Sequence, residues 1–163
     1  MKREEGIIQP NLLNIILADD DKDDCFLFQE ALKELRFTVN IINVTNGVQL
    51  MQLLSKENQQ AYHVLFLDLN MPKKSGFTCL DEIKSTSNFK HLPVIIFSTS
   101  QQAESVEYLY KKGADFYIRK PSSFLQLKNV IKQALMLIAN KSNVQTSREN
   151  FIISSSLELN SPS

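Results

Sequence analysis

Four apolar runs in this chain end on residues that could do chemistry. "ILADDD" ends in Asp19, Asp20 and Asp21, "LFLDLNMP" delivers Asp68, "LPVIIFSTS" ends in Ser98, Thr99 and Ser100, and "FYIRKP" ends in Arg119, Lys120 and Pro121. If Asp19, Asp20 and Asp68 converge, their like charges repel unless a cation is held between them. An all-oxygen donor set suits a hard ion. Magnesium is the natural choice, with manganese as an alternative, because it accepts one or two carboxylates and keeps a phosphate oxygen as a further ligand. Lys120 adds a point positive charge and Ser98 a hydroxyl donor. Cation, ammonium and hydroxyl around one carboxylate make a site for a phosphoryl group carried on that carboxylate. Asp68 would be the nucleophile, with the metal and Lys120 offsetting charge on the phosphoryl oxygens. Taken singly, each residue has a plainer reading: "DDDKDD" as a solvated loop with a helix N-cap, Ser98 as a strand-end hydroxyl bonding its own backbone, Lys120 as surface charge. Their joint placement at strand exits favours the chemical one.

The elements that must position these residues are legible from periodicity. Asn14–Ala18, Val39–Val44, His63–Leu67, Pro93–Phe97 and Asp115–Ile118 are strand candidates. Between them Cys25–Leu35, Val48–Leu54, Gly76–Lys84, Ala103–Lys111 and Phe124–Ile138 place apolar residues at helical spacing, and Gly113 suits the C-cap of the fourth. Alternation of strand and helix predicts βαβ units and a parallel sheet. The third and fourth strands are apolar throughout, as strands buried on both faces should be, whereas "VNIINV" alternates with asparagine and suits an edge. In such a sheet ligands bind at the carboxyl ends of the strands, where the four polar groups fall.

The chain has 163 residues with 18 Lys+Arg against 18 Asp+Glu, a balance that gives no electrostatic case for nucleic acid or an anionic membrane surface. Residues 12–140 are expected to form one domain after an N-terminal extension, 1–11. The Ser/Asn-rich tail, 141–163, is too short for a second domain and reads as disordered, although Phe151–Ile153 could dock. Cys25 and Cys79 lack paired spacing and read as reduced core thiols. The start is no signal peptide and no apolar run reaches about 18 residues, so a cytoplasmic location is the default. His63 and His91 flank strand starts, the end opposite the candidate site, and read as loop residues.

With these motifs in this order and spacing, the chain from about Asn14 to Ala139 closely resembles the response-regulator receiver domains of two-component signalling. The resemblance implies a doubly wound α/β fold of flavodoxin type, with a five-stranded parallel sheet in the order 2-1-3-4-5. It implies that Asp68 is the phosphoacceptor, and that Asp19, Asp20 and the backbone carbonyl of Asn70 complete the magnesium site. Ser98 and Lys120 would stabilise the phosphoryl group, Tyr117 would swing inward as Ser98 moves, and the Lys120–Pro121 bond would be cis. A histidine kinase or histidine phosphotransfer protein would donate the phosphoryl group. The face of Ala103–Lys111, Asp115–Ile118 and Phe124–Ile138 would then change, for an unknown downstream protein or for a homodimer. Such a chain is a signalling domain and not a turnover enzyme.

Some positions depart from the commonest pattern. Thr99 is β-branched where many such domains carry Ala or Gly. Ser100, which with Asn70 would tune dephosphorylation, lacks a carboxylate or amide to orient water, so a long-lived phosphoryl state is expected. Asp21, Asp23 and Asp24 match no ligand, and Asp23 or Asp24 is expected to begin the first helix. Two other functions compete. A binding-only version of the fold would not need the intact polar set, and a phosphatase of haloacid-dehalogenase type would need D-x-D on the first strand.

Overall fold

A computed structural model of the chain describes residues 12–56, 61–99, 103–141 and 144–155. In chain order the elements are β1 (Leu13–Ala18), α1 (Lys22–Leu35), β2 (Val39–Val44), α2 (Gly47–Ser55), β3 (Val64–Leu67), α3 (Gly76–Ser85), β4 (Val94–Ser98), α4 (Ala103–Lys111), β5 (Phe116–Arg119), α5 (Phe124–Ala139), a 3-10 turn (Arg148–Asn150) and β6 (Ile152–Ile153). The sheet runs β2-β1-β3-β4-β5-β6 and every pairing is parallel. It is the expected flavodoxin-like fold with one strand more than expected.

The two-residue period of a strand divides the core between the faces of the sheet. Ile15, Leu17, Val64, Phe66, Ile95, Phe97, Phe116 and Ile118 pack with α1 and α5 residues. Phe28 meets Phe66 and Phe97 edge-on there, at ring-centroid distances of 4.9 and 5.6 Å. Ile16, Ala18, Leu65, Leu67, Val94, Ile96 and Tyr117 pack on the other face with residues of α2, α3 and α4. β3 and β4 are buried throughout, while β2 is a half-covered edge, as their compositions predict. Gly113 takes a left-handed φ of 103° after α4, where its N–H reaches the Tyr110 carbonyl. Cys25 and Cys79 are buried free thiols whose titration is pushed up to about 11 by burial. Among the described residues no helix is long and apolar enough to cross a membrane.

Three expectations need correction. The tail is not wholly unstructured: residues 144–155 return along β5 and add β6, with Tyr117 opposite Ile152 and Ile118 opposite Ile153. The physical reason is that β5 would otherwise end the sheet with unpaired backbone groups. Phe151 is fully buried on the Tyr117 face, which contributes about 2–3 kcal/mol. The Lys120–Pro121 bond is trans, since no peptide bond is cis among the described residues. Trans is the isomer that X–Pro amides intrinsically favour by about 0.5–1 kcal/mol. Helix α1 begins at Lys22, one to two residues early, because the Asp21 side chain accepts from the N–H groups of Asp23 and Asp24.

Candidate functional site

Asp19, Asp68, Ser98 and Lys120 are each the last residue of a strand or the first beyond it, and the backbone ladder holds them there. Asp19 N–H donates to the Val44 carbonyl (3.0 Å), Asp68 N–H to the Ala18 carbonyl (2.9 Å), and Lys120 N–H to the Ser98 carbonyl (2.8 Å). Rigid neighbouring strands therefore place one aspartate after β1, one after β3, a serine at the end of β4 and a lysine after β5. The loop behind Asp68 is fixed by α3. Gly76 N–H bonds the Leu69 carbonyl at 3.0 Å, and a Cβ at Gly76 would run into the Asp68 carbonyl oxygen. Close backbone approach thus requires glycine at that point.

Asp19, Asp68 and Ser98 are buried, and Asp20 is exposed. One carboxylate oxygen from each of Asp19, Asp20 and Asp68 lies within 4.8 Å of the others. Lys120 reaches in from β5. Its Nζ is 2.8 Å from Asp19 Oδ2, 2.8 Å from Asp24 Oδ2 and 3.8 Å from Asp68 Oδ2, and it lies over the Phe97 ring at 5.5 Å. The contact with Asp19 is an ion pair outside hydrogen-bond geometry, so buried Asp19 Oδ2 has no hydrogen bond. Asp19 Oδ1 accepts from the Asp21 N–H at 3.0 Å.

Burial governs the charges. It pushes Asp68 from an ordinary 3.8 up to about 6, against the opposing pull of Lys120 and of the Asn70 and Leu69 N–H groups, while Asp19 adds a like charge. Burial also raises Asp19 despite Lys120. Burial opposes the Lys120 charge too, but Asp19 and Asp24 outweigh it and hold the ammonium above its usual range. Two buried carboxylates are thus poorly compensated in a site with one ammonium. A buried carboxylate oxygen whose partner is a shared ammonium, and a set of oxygen-only donors, fit a hard divalent cation.

The structure brings Asp19, Asp20 and Asp68 together, with Lys120 beside them. Ser98 ends the next strand, Asn70 is exposed in the loop after Asp68, and Thr99 is exposed after Ser98. Ser100 lies outside the described residues. Tyr117 is buried in β5 beneath the tail, and half-buried Pro121 follows Lys120. Asp24 is the residue the sequence reading missed. It shares Lys120 with Asp19 across 96 positions of sequence, and no local spacing signals that contact. His63 belongs to the opposite end, where its Nδ1 accepts from the Asn14 N–H at 2.8 Å. A cleft at that end, lined by His63, Lys84, His91 and Lys141 among others, adjoins the ion pairs of Asp115 and not the acidic site.

Comparison with known proteins agrees with this geometry. The family model of the response regulator receiver domain matches residues 15–132. Response regulator Rcp1 of Synechocystis sp. is 31% identical over 122 residues, covering 72% of this chain and 83% of that protein. Two-component response regulator ARR5 of Arabidopsis thaliana is 23% identical over 153 residues, covering 88% and 83%. Among solved structures, the phosphorylated cyanobacterial phytochrome response regulator RcpA is 31% identical with a TM-score of 0.74, covering 81% of this chain and 97% of that one. The Mn(2+)-bound form of Rcp1 is 28% identical with a TM-score of 0.70, covering 83% and 99%. A parallel sheet that carries this acidic cluster and lysine at its carboxyl end, and a family match over most of the domain, together show that the chain belongs to the response regulator receiver domains of two-component signalling.

Proposed function

We propose that the chain works by accepting a phosphoryl group on Asp68 from a histidine kinase or a histidine phosphotransfer protein. The observation that carries this reading is the under-compensated cluster of Asp19, Asp20 and Asp68 with Lys120 Nζ 3.8 Å from Asp68. An Asp68 carboxylate oxygen attacks phosphorus, the phosphorus–nitrogen bond of the donor breaks, and the imidazole nitrogen leaves with its electron pair. Asp19, Asp20, Asp68 and the Asn70 carbonyl would hold a magnesium or manganese ion, which supplies positive charge for the phosphoryl oxygens. Lys120, already drawn toward the carboxylates, moves its ammonium onto the new phosphoryl oxygens. Buried Ser98 offers the hydroxyl that would bind one of them, and Tyr117, three residues before Lys120 in the same strand segment, carries the change toward α4 and α5. Asn70, Thr99 and Ser100 are the positions that would set the lifetime of the phosphoryl state. The output is the α4–β5–α5 face, read by a downstream protein.

Intact mass after incubation with acetyl phosphate and magnesium tests the reading. One phosphoryl increment on the wild type and none on Asp68→Asn is expected. No increment on the wild type with acetyl phosphate or a panel of phosphorylated kinases would leave a binding-only domain. Relatives named as phytochrome response regulators make phytochrome-type kinases the first to include in that panel.

A further inference from the structure

The face that the functional reading reserves for partners is already occupied by the chain's own residues. Phe151 inserts its ring beside Tyr110 (centroid distance 5.1 Å) and Tyr117 (6.3 Å). The Tyr117 N–H donates to the Phe151 carbonyl at 2.9 Å, and Ile152–Ile153 then pairs with β5. On one flank the Arg148 Nε lies 2.9 Å from Glu107 Oε1 of α4, with the guanidinium over the Phe151 ring at 5.9 Å. Tyr110 Oη donates to the Thr146 carbonyl at 2.9 Å, and Gln133 Nε2 of α5 to the Ser154 carbonyl at 2.9 Å.

We infer that the α4–β5–α5 face is a strand-accepting docking surface kept filled by segment 144–155, and that a protein partner engages it by offering an extended segment of the same chemistry in place of Phe151–Ile153. The inference goes beyond the phosphoryl-accepting reading and stands whether or not Asp68 is modified.

Strand addition to a sheet edge takes affinity from backbone pairing and specificity from side-chain pockets. Here the pocket asks for an aromatic residue, the edge of β5 for β-branched residues after it, and Glu107 for a cation three positions before it. The resident segment meets all of these demands with very little structure of its own: one 3-10 turn and a two-residue strand. Residues 148–150 are exposed, as is Ile152. Phe151, Ile153 and Ser155 are the segment's buried residues, against strands such as β3 and β4 that are buried throughout. A short peripheral element of this kind opens at lower cost than the core, so the occupant is exchangeable while the surface is fixed.

The test uses a fluorescein-labelled synthetic peptide of residues 144–155, titrated by anisotropy into full-length chains. The wild type should take up the peptide weakly, because its own segment competes. Phe151→Ala, which removes the anchor, should bind it at least tenfold more tightly. Arg148→Glu, an exposed change that repels Glu107 and takes the guanidinium from over the Phe151 ring while leaving the ring in place, should gain severalfold. A peptide carrying Phe151→Ala should bind none of the chains. Equal binding by all three chains, or no gain in either variant, would overturn the inference. So would a wild-type dimer that Phe151→Ala dissolves, since the segment would then sit on a second copy.

Discussion

Asp68→Asn should make the protein more stable, and the size of the gain follows from the site. A carboxyl buried so that it titrates at about 6 instead of 3.8 disfavours the ionised native form by about 3 kcal/mol at neutral pH. The sign follows from linkage. The folded value is raised, so the penalty is absent below the unfolded value, grows as pH rises from about 4 to about 6, and is constant above. Asparagine cannot ionise yet can still accept from the Asn70 and Leu69 N–H groups. In a metal-free buffer at pH 7.5 the variant should gain about 3 kcal/mol, or about 6–12 °C in melting temperature for a chain of this size. The gap should close near pH 4. Millimolar magnesium should narrow it at pH 7.5, since an ion that binds the native wild type stabilises it in proportion to occupancy. The assay is urea or thermal unfolding of both proteins at pH 4 and pH 7.5, with and without magnesium. An equal stability at pH 7.5, or a gap that persists unchanged at pH 4, would refute the electrostatic account of this site.

Asp24→Asn should release Lys120 from one of its two close carboxylates and slow loss of the phosphoryl group severalfold. The effect should stay under tenfold because a partly exposed ion pair contributes about 1 kcal/mol or less; timing dephosphorylation by intact mass checks it. Gly76→Ala should push the Asp68–Leu69 backbone out of place. It should lower stability by about 1–3 kcal/mol, and calorimetric titration with magnesium should show weaker binding. Asp115→Ala should cost about 3–5 kcal/mol in urea unfolding, because it removes the buried carboxylate that Lys84 and Lys141 share, at 3.4 and 3.0 Å, and the acceptor of the Val94 N–H. Like stability in wild type and variant would exclude a structural role for that ion pair.

Much of the site could be read from the chain because its position depends on local rules. Asp19, Asp68, Ser98 and Lys120 each stand where an apolar run stops, and parallel pairing aligns those stops at one end of the sheet. The same rules failed where the determinant was distant or too short. Asp24 meets Lys120 across 96 positions, from the first turn of the helix that Asp21 caps. The Ile152–Ile153 strand is too brief to show a two-residue period, and its place is set by the cavity beside Tyr110 and Tyr117 that takes Phe151. The convergence of Lys84 and Lys141 on Asp115 joins α3, the end of α5 and the start of β5, which no stretch of sequence displays.

Lys141 gives the returning segment a fixed origin. Its ammonium is held 3.0 Å from Asp115 at the far end of the sheet, so Phe151 leaves its pocket on a tether of about ten residues, with an average reach of about 18 Å if flexible. A released segment therefore faces its own groove at an effective concentration in the millimolar range. A free competitor at micromolar concentration must bind about a thousandfold better than the segment to displace half of it. Any change that loosens the segment lowers that threshold by the same factor, and so helps decide which partners can reach the face.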